Sequence, residues 1–244
     1  MSKFVLLNAR IFAGGTDLTS ASNQVELGCE VEDKDVTTFA DGGWKASIGG
    51  LASTTISASG FWEAGDGKVD GEMWTAVNGR EPIPWTVCPD TAAVGELAYL
   101  THGLTTSYAI GDAVGEAMPW EGEAAGSNLL VRGTVLHPPG AARTADGDGD
   151  EVQVGALSAS QKLVAVLHVL SVAGSTPSLT VEVESSADNT FTSPTTQASF
   201  SAASGAGSQV VTVDGPVTDT YWRVTWDITG STPSFLFVVA VGVA

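Results

Sequence analysis

The side chains able to do chemistry are few and scattered. His102, His137 and His168 are each separated by more than thirty residues, so no two stand at metal-ligand spacing, and neither HExxH nor CxxC occurs. There is no GxSxG elbow and no phosphate-cradling glycine loop. His168 sits inside the apolar run LVAVLHVLSV, where a hydrogen-bonded core histidine is the expectation and a place in a catalytic triad is not. The run DGDGDE, Asp146–Glu151, offers alternating hard oxygens to calcium. An EF-hand loop begun at Asp146 needs Gly sixth and Glu twelfth, yet Glu151 and Leu157 stand there, so a solvated acidic segment is expected. With 28 acids some pair always suits glycoside hydrolysis, and none is singled out. Trp222 and Trp226 share a strand face and could stack on a sugar, but their alternation with Tyr221, Arg223, Thr225 and Asp227 favours a core role. The reading is a non-enzyme with no cofactor and no metal.

Composition agrees with that reading. The chain has 244 residues, 43% hydrophobic and 16% charged, enough for one large domain or two ordinary ones. Ten Lys and Arg face 28 Asp and Glu, a net charge of −18. The imbalance is spread over both parts of the chain: seven cations against 18 acids up to His137, three against ten beyond it. Such a surface repels phosphate backbones and argues against ordinary nucleic-acid binding. Cys29 and Cys88 lie in separate strand-like segments and read as core residues, although they could bridge. MSKFVLLNARIF carries too short an apolar run for a signal peptide, and FLFVVAVGVA is half a membrane span and suits a buried strand. A soluble protein made in the cytoplasm, with no membrane partner, is expected.

The elements that must position any site are mostly strands, because the dominant period is two. Val25, Leu27, Cys29 and Val31 take one face of a strand, Glu26, Glu30 and Glu32 the other. Further strands are expected over Phe4–Phe12, Leu51–Trp62, Ile83–Cys88, Glu96–Thr101, Leu129–His137, Glu151–Leu157, Gln161–Val172, Ser178–Ser185, Gln209–Val213, Thr220–Ile228 and Phe235–Val243. Val69, Met73 and Val77 fall at helical spacing, so Lys68–Val77 reads as one short helix with Asp66 as its N-cap. PPGAARTADGDGD, residues 138–150, reads as an acidic Pro/Gly linker between a domain over 1–137 and another over 151–244. GSTPS occurs at Gly174–Ser178 and again at Gly230–Ser234, each copy between two strand-like runs, and each reads as a hairpin turn of a β-sandwich of jelly-roll or Ig-like type.

LGCEVEDKDVTTFADGGWKASIGGLASTTISASGFWE resembles the start of major tail proteins, the tail tube subunits of long-tailed bacteriophages. The likeness continues through the helix, AVGEAMPWEGEA (Ala113–Ala124) and LLVRGTVLH (Leu129–His137). The second part resembles β-sandwich modules appended to virion proteins. The resemblance implies a mainly β fold, a tail-tube-like antiparallel β-barrel or sandwich with one short helix, followed by a second sandwich projecting outward. It implies self-assembly into rings, typically hexamers, that stack into a tube conducting viral DNA in the virion tail, with other tail proteins as partners. Glu26, Glu30 and Glu32 would then face the lumen and repel the DNA; the plain alternative is a solvated outer face. Asp35, Val36, Thr37, Thr38, Phe39, Trp44 and Lys45 would form a loop docking on neighbouring subunits, with Phe39 and Trp44 as anchors unless they cap the subunit's own core. A head decoration or other virion surface protein and a carbohydrate-binding β-sandwich module are the alternatives.

Overall fold

The computed structural model describes residues 5–126 and 130–244, so the expected strand starts at Phe4 and Leu129 lie outside the described residues. Alternation does produce strands nearly throughout. The first part of the chain holds β1 (Arg10–Ala13), β2 (Thr16–Asp17), β3 (Ser22–Asp35), β4 (Ser47–Phe61), α1 (Val69–Gly79), β5 (Ile83–Cys88), β6 (Leu97–Ile110), β7 (Pro119–Gly126) and β8 (Val131–His137). The second holds β9 (Gly147–Asp148), β10 (Val152–Gln153), β11 (Lys162–Ser186), β12 (Thr195–Ser199), β13 (Gly207–Asp214) and β14 (Tyr221–Val243). They join in one antiparallel sheet running β12-β11-β14-β8-β6-β5-β1-β2, with β7, β4 and β3 continuing from the far half of β6. The sheet does not close into a barrel.

The two GSTPS copies are not hairpin turns. They lie opposite each other in the middle of β11 and β14, which stay paired from Leu163↔Val243 to Ser186↔Tyr221. Register shifts cluster at the copies, where Gly174 (φ 113°), Thr176 (φ 48°), Gly230 (φ 125°) and Thr232 (φ 49°) leave extended geometry. Paired bulges bend a ribbon without ending it, which is how strands pass from one layer of a sandwich to the other. The bend lets Leu163, Leu167, Phe235, Phe237 and Val239 from one half of the ribbon pack in a single core with Leu179, Val181, Trp222, Val224 and Trp226 from the other half. A local turn signal is therefore overridden by pairing along the whole ribbon.

Residues 138–150 run along β14. Arg143 bridges Phe235, Gly147–Asp148 pairs with Thr225 and Trp226, and Asp146 accepts a hydrogen bond from the Ile228 amide at 2.8 Å. The Arg143 guanidinium lies 5.1 Å from the Trp226 ring and donates to His137 Nε2 at 3.2 Å. His137 also donates from Nδ1 to the Phe237 carbonyl. Sequence patterning reads these residues as polar and coreless; backbone pairing with β14 needs no apolar side chains.

The two parts of the chain share a third cluster, in which Phe12, Cys88, Leu100, Val131 and Val135 pack on Val166, Val238 and Ala240. His168 crosses the same seam. Its Nδ1 lies 2.7 Å from the Gly14 carbonyl and its Nε2 2.8 Å from the Thr86 hydroxyl. A carbonyl can only accept, so Nδ1 carries the proton and Nε2 accepts from Thr86 in a neutral ring.

Other departures have local causes. Residues 5–9 are not a strand, and Val5, Leu6 and Leu7 are exposed with no sheet to join. The strand expected over Glu151–Leu157 shrinks to β10, before Gly155 at φ 104° turns the backbone. Helix α1 starts after Lys68, which offers no side-chain cap, while Asp70 and Glu72 favour its positive end. Asp70 also accepts from Trp62 Nε1 and the Tyr108 hydroxyl, fastening the helix to β6. Cys29 is exposed and Cys88 buried, both as free thiols, so only Cys88 is a core residue.

Burial holds His137 and His168 at pKa values of about 4, with the Arg143 charge adding to the effect at His137. Their folded values lie below the unfolded value near 6.5, so the unfolded chain binds more protons between those limits. Stability is therefore expected to fall as pH drops from 6.5 to about 4, by on the order of 3 kcal/mol per imidazole. Denaturant titrations across that range should show the loss, and His168→Leu, although less stable at pH 7, should flatten the slope. Trp222 and Trp226 are 0% and 6% exposed and donate to the Gly155 and Ala145 carbonyls, so neither presents a face to a sugar. Trp226→Ala should cost about 3–5 kcal/mol in the same titrations.

Candidate functional site

The β3–β4 hairpin changes character along its length. At its base Val25 and Leu27 pack against the core cluster of Ile56, Ala58, Met73, Trp85 and Trp120, as the alternation predicts. Beyond Cys29↔Thr54 the hairpin leaves the layer behind it, because β7 pairs with β4 only from Thr54 to Phe61. Cys29 and Val31, on the same face as Leu27, are consequently exposed. Nearly every residue from 29 to 53 faces solvent, including Val31, Val36, Phe39, Trp44, Ile48 and Leu51.

The tip is exposed yet ordered by its own bonds. Asp41 accepts from the Thr38 amide and hydroxyl at 2.5 and 2.8 Å, and Thr38 Oγ1 accepts from the Ala40 amide, forming a capping box on a single 3-10 turn. Asp35 accepts from the Thr37 amide, and Thr37 Oγ1 accepts from the Ala46 amide. These bonds hold the Asp35 and Asp41 carboxyls below their ordinary pKa. Gly42 and Gly43 close the turn at φ 62° and 88°. Lys45 pairs with Asp33 at 2.8 Å, and Lys34 with Glu32 at 2.6 Å. Of the seven loop residues, then, Asp35, Thr37, Thr38 and Lys45 build the tip, while Val36, Phe39 and Trp44 project from it. Phe39 is 110% exposed and Trp44 82%, so neither caps the core of its own chain.

The sheet under the hairpin has a second distinctive face. Registers align Glu26–Ser57–Glu123–Ser107 in one row and Gln24–Ser59–Glu121–Ala109 in the next, with Glu30 beside Ser53 beyond them. Paired residues share a face, so Glu26, Glu30, Glu121 and Glu123 stand together on the side away from Trp120. No lysine or arginine occupies these rows, and among the described residues none of the four glutamates is in an ion pair. Glu32 differs, being neutralised by Lys34. Glu121 and Glu123 escaped the sequence reading, although W-E-G-E-A carries the same alternation as β3. Among the described residues no three His, Cys, Asp or Glu side chains converge on a metal-sized site.

The four strands β3-β4-β7-β6 end in unpaired edges. Among the described residues β3 pairs only with β4, and β6 beyond Gly103 pairs only with β7. A 14-residue strand with one free edge is a ready template for another strand.

No family model and no curated protein matches the chain. Among solved structures it is similar to the tail of an empty gene transfer agent particle refined with C6 symmetry, at 19% identity and TM-score 0.40 over 49% of this chain and 92% of that one. It is similar to the tail tube of phage SPP1, at 13% identity and TM-score 0.39 over 50% of this chain and 75% of that one. It is also similar to the SPP1 Dit protein, a hub of the adsorption apparatus, at 12% identity and TM-score 0.36 over 97% and 99% of the two chains.

The glutamate face predicts a charge-reversal phenotype. Wild type is expected to leave duplex DNA unretarded in a gel at low salt. Changing Glu26, Glu30, Glu121 and Glu123 to Lys should create salt-sensitive binding, with a log–log slope of about −0.9 per phosphate contacted.

Proposed function

We propose that this chain is a structural protein of a phage-type tail, a tube subunit that assembles with copies of itself into rings stacked around a DNA-conducting bore. The observation that carries the reading is the four-stranded sheet whose two outer edges are unpaired among the described residues, with Glu26, Glu30, Glu121 and Glu123 together on one face in rows that hold no lysine or arginine. Its strands alternate in direction and are even in number, so β6 of one copy and β3 of the next run antiparallel. Edge pairing can then continue around a closed ring and remove both edges.

The dimensions are sensible. Six copies, the number the sequence resemblance implies, would contribute four strands each at about 4.8 Å spacing, giving a bore of at least roughly 35 Å between backbones. That admits a DNA duplex. With the glutamates turned inward, like charge keeps the phosphates from adhering and the DNA slides. In this arrangement the hairpin arm leaves the ring along the strand direction and meets the next ring. The sandwich of residues 151–244 faces outward, and no reaction is assigned to it. The site of action is the virion tail, with other tail proteins as partners.

Electron microscopy of the purified full chain at high concentration is the test. Hollow tubes or six-membered rings are expected. A chain that stays monomeric over all concentrations and salts, or forms closed small oligomers that never stack, would overturn the reading.

A further inference from the structure

The hairpin tip leaves one end of the four-stranded sheet, and the other end carries an apolar surface of its own. There Phe61 is 55% exposed, Ile110 48%, Met118 38% and Val114 107%. Gly60↔Trp120 and Phe61↔Pro119 place these residues at the end of β4 farthest from Ser47, where the 111–118 loop joins β6 to β7. Asn23, Phe61, Ile110, Pro119 and Trp120 line a hollow of about 430 Å³ at this end, comparable to the space two aromatic side chains need.

We infer that this end of the sheet is the acceptor for the tip of a second copy, with Phe39 and Trp44 seating against Phe61, Ile110, Val114 and Met118. The inference rests on the tube reading and adds the other half of the contact between rings. Size supports a second copy as the occupant. The free arm, residues 29–53, has 23 exposed residues, within the roughly 20–30 residues that each side of a stable interface supplies. An isolated two-stranded ribbon is marginal in water, so the arm gains most from a surface that covers it. Donor and acceptor lie at opposite ends of one sheet, so the contact is head-to-tail. Such a contact does not close on itself and propagates as a filament. It also cannot be satisfied within one chain.

The charges sharpen the inference. The arm carries Glu30, Glu32, Asp33, Asp35 and Asp41 against Lys34 and Lys45, and the acceptor end carries Asp112, Glu116 and Glu121. Both surfaces are net acidic, so apolar burial must hold the contact against repulsion. Stacking should therefore strengthen as salt rises, the reverse of an interface held by ion pairs.

The test mixes two full-length proteins in a Cys29→Ser background, one with Ala40→Cys beside Phe39 and one with Ala113→Cys beside Val114, both at exposed positions; Cys88 is fully buried and does not interfere. Under tube-forming conditions, oxidation is expected to give a mixed disulfide dimer. Val114→Asp with Met118→Asp, both at exposed positions, should keep the wild-type circular dichroism and stop assembly at single rings. Raising salt from about 50 to 500 mM should increase pelleted tubes several-fold. Wild-type tubes without the mixed disulfide, or Asp variants that form tubes of normal length, would overturn the acceptor while leaving the tube reading intact. Fewer tubes at high salt would overturn the apolar basis of the contact. Wild type that forms neither rings nor tubes would remove the reading on which both rest.

Discussion

The structure depends on the pairing of β11 with β14. These two strands hold register from Leu163↔Val243 to Ser186↔Tyr221 and fold over on themselves at the paired GSTPS segments. One bent ribbon therefore supplies both layers of the sandwich core. The outer edge of β14 takes β8 at one end and the 147–148 and 152–153 segments at the other. Through β8 the ribbon reaches β6, and through β6 the strands β7, β4 and β3. Apolar burial at about 25 cal/mol per Å² drives the packing, and the ladder removes the cost of carrying so much backbone into the interior.

That foundation lets the remaining strands be left unsatisfied. Val25 and Leu27 hold the base of the β3–β4 hairpin to the core, while its outer half is left uncovered by the described residues. The sheet behind the arm is anchored by buried Trp85 and Trp120, while the projecting arm is ordered by its own turn bonds. Those bonds define the turn from which Phe39 and Trp44 project.

Much of this was legible in the residues. Period-two alternation located most strands, and helical spacing located α1 within two residues at its far end. The acidic face of β3 and the aromatic tip could be named from their order alone. What was hidden depended on partners distant in sequence. Glu121 and Glu123 join Glu26 and Glu30 only through the β3-β4-β7 register, which no local pattern encodes. Residues 138–150 look like a linker because their contribution to the fold is backbone pairing with β14. GSTPS reads as a turn because Gly, Ser and Pro serve bulges and turns alike, and only the partner strand distinguishes them. Cys29 and Val31 look like core residues because alternation shows which face a side chain takes and is silent on whether anything covers it.

The two GSTPS segments also constrain each other. A Cβ at Gly174 would lie 2.7 Å from the Thr232 carbonyl oxygen, and one at Gly230 would lie 2.9 Å from that of Thr176. Each glycine is thus required by the backbone of the other copy as well as by its own φ. A lineage that changes one copy meets a clash in the second, and insertion in one slips the register of a strand more than twenty residues long. The two copies can change only together, which leaves the loops as the more tolerant positions in this half of the molecule.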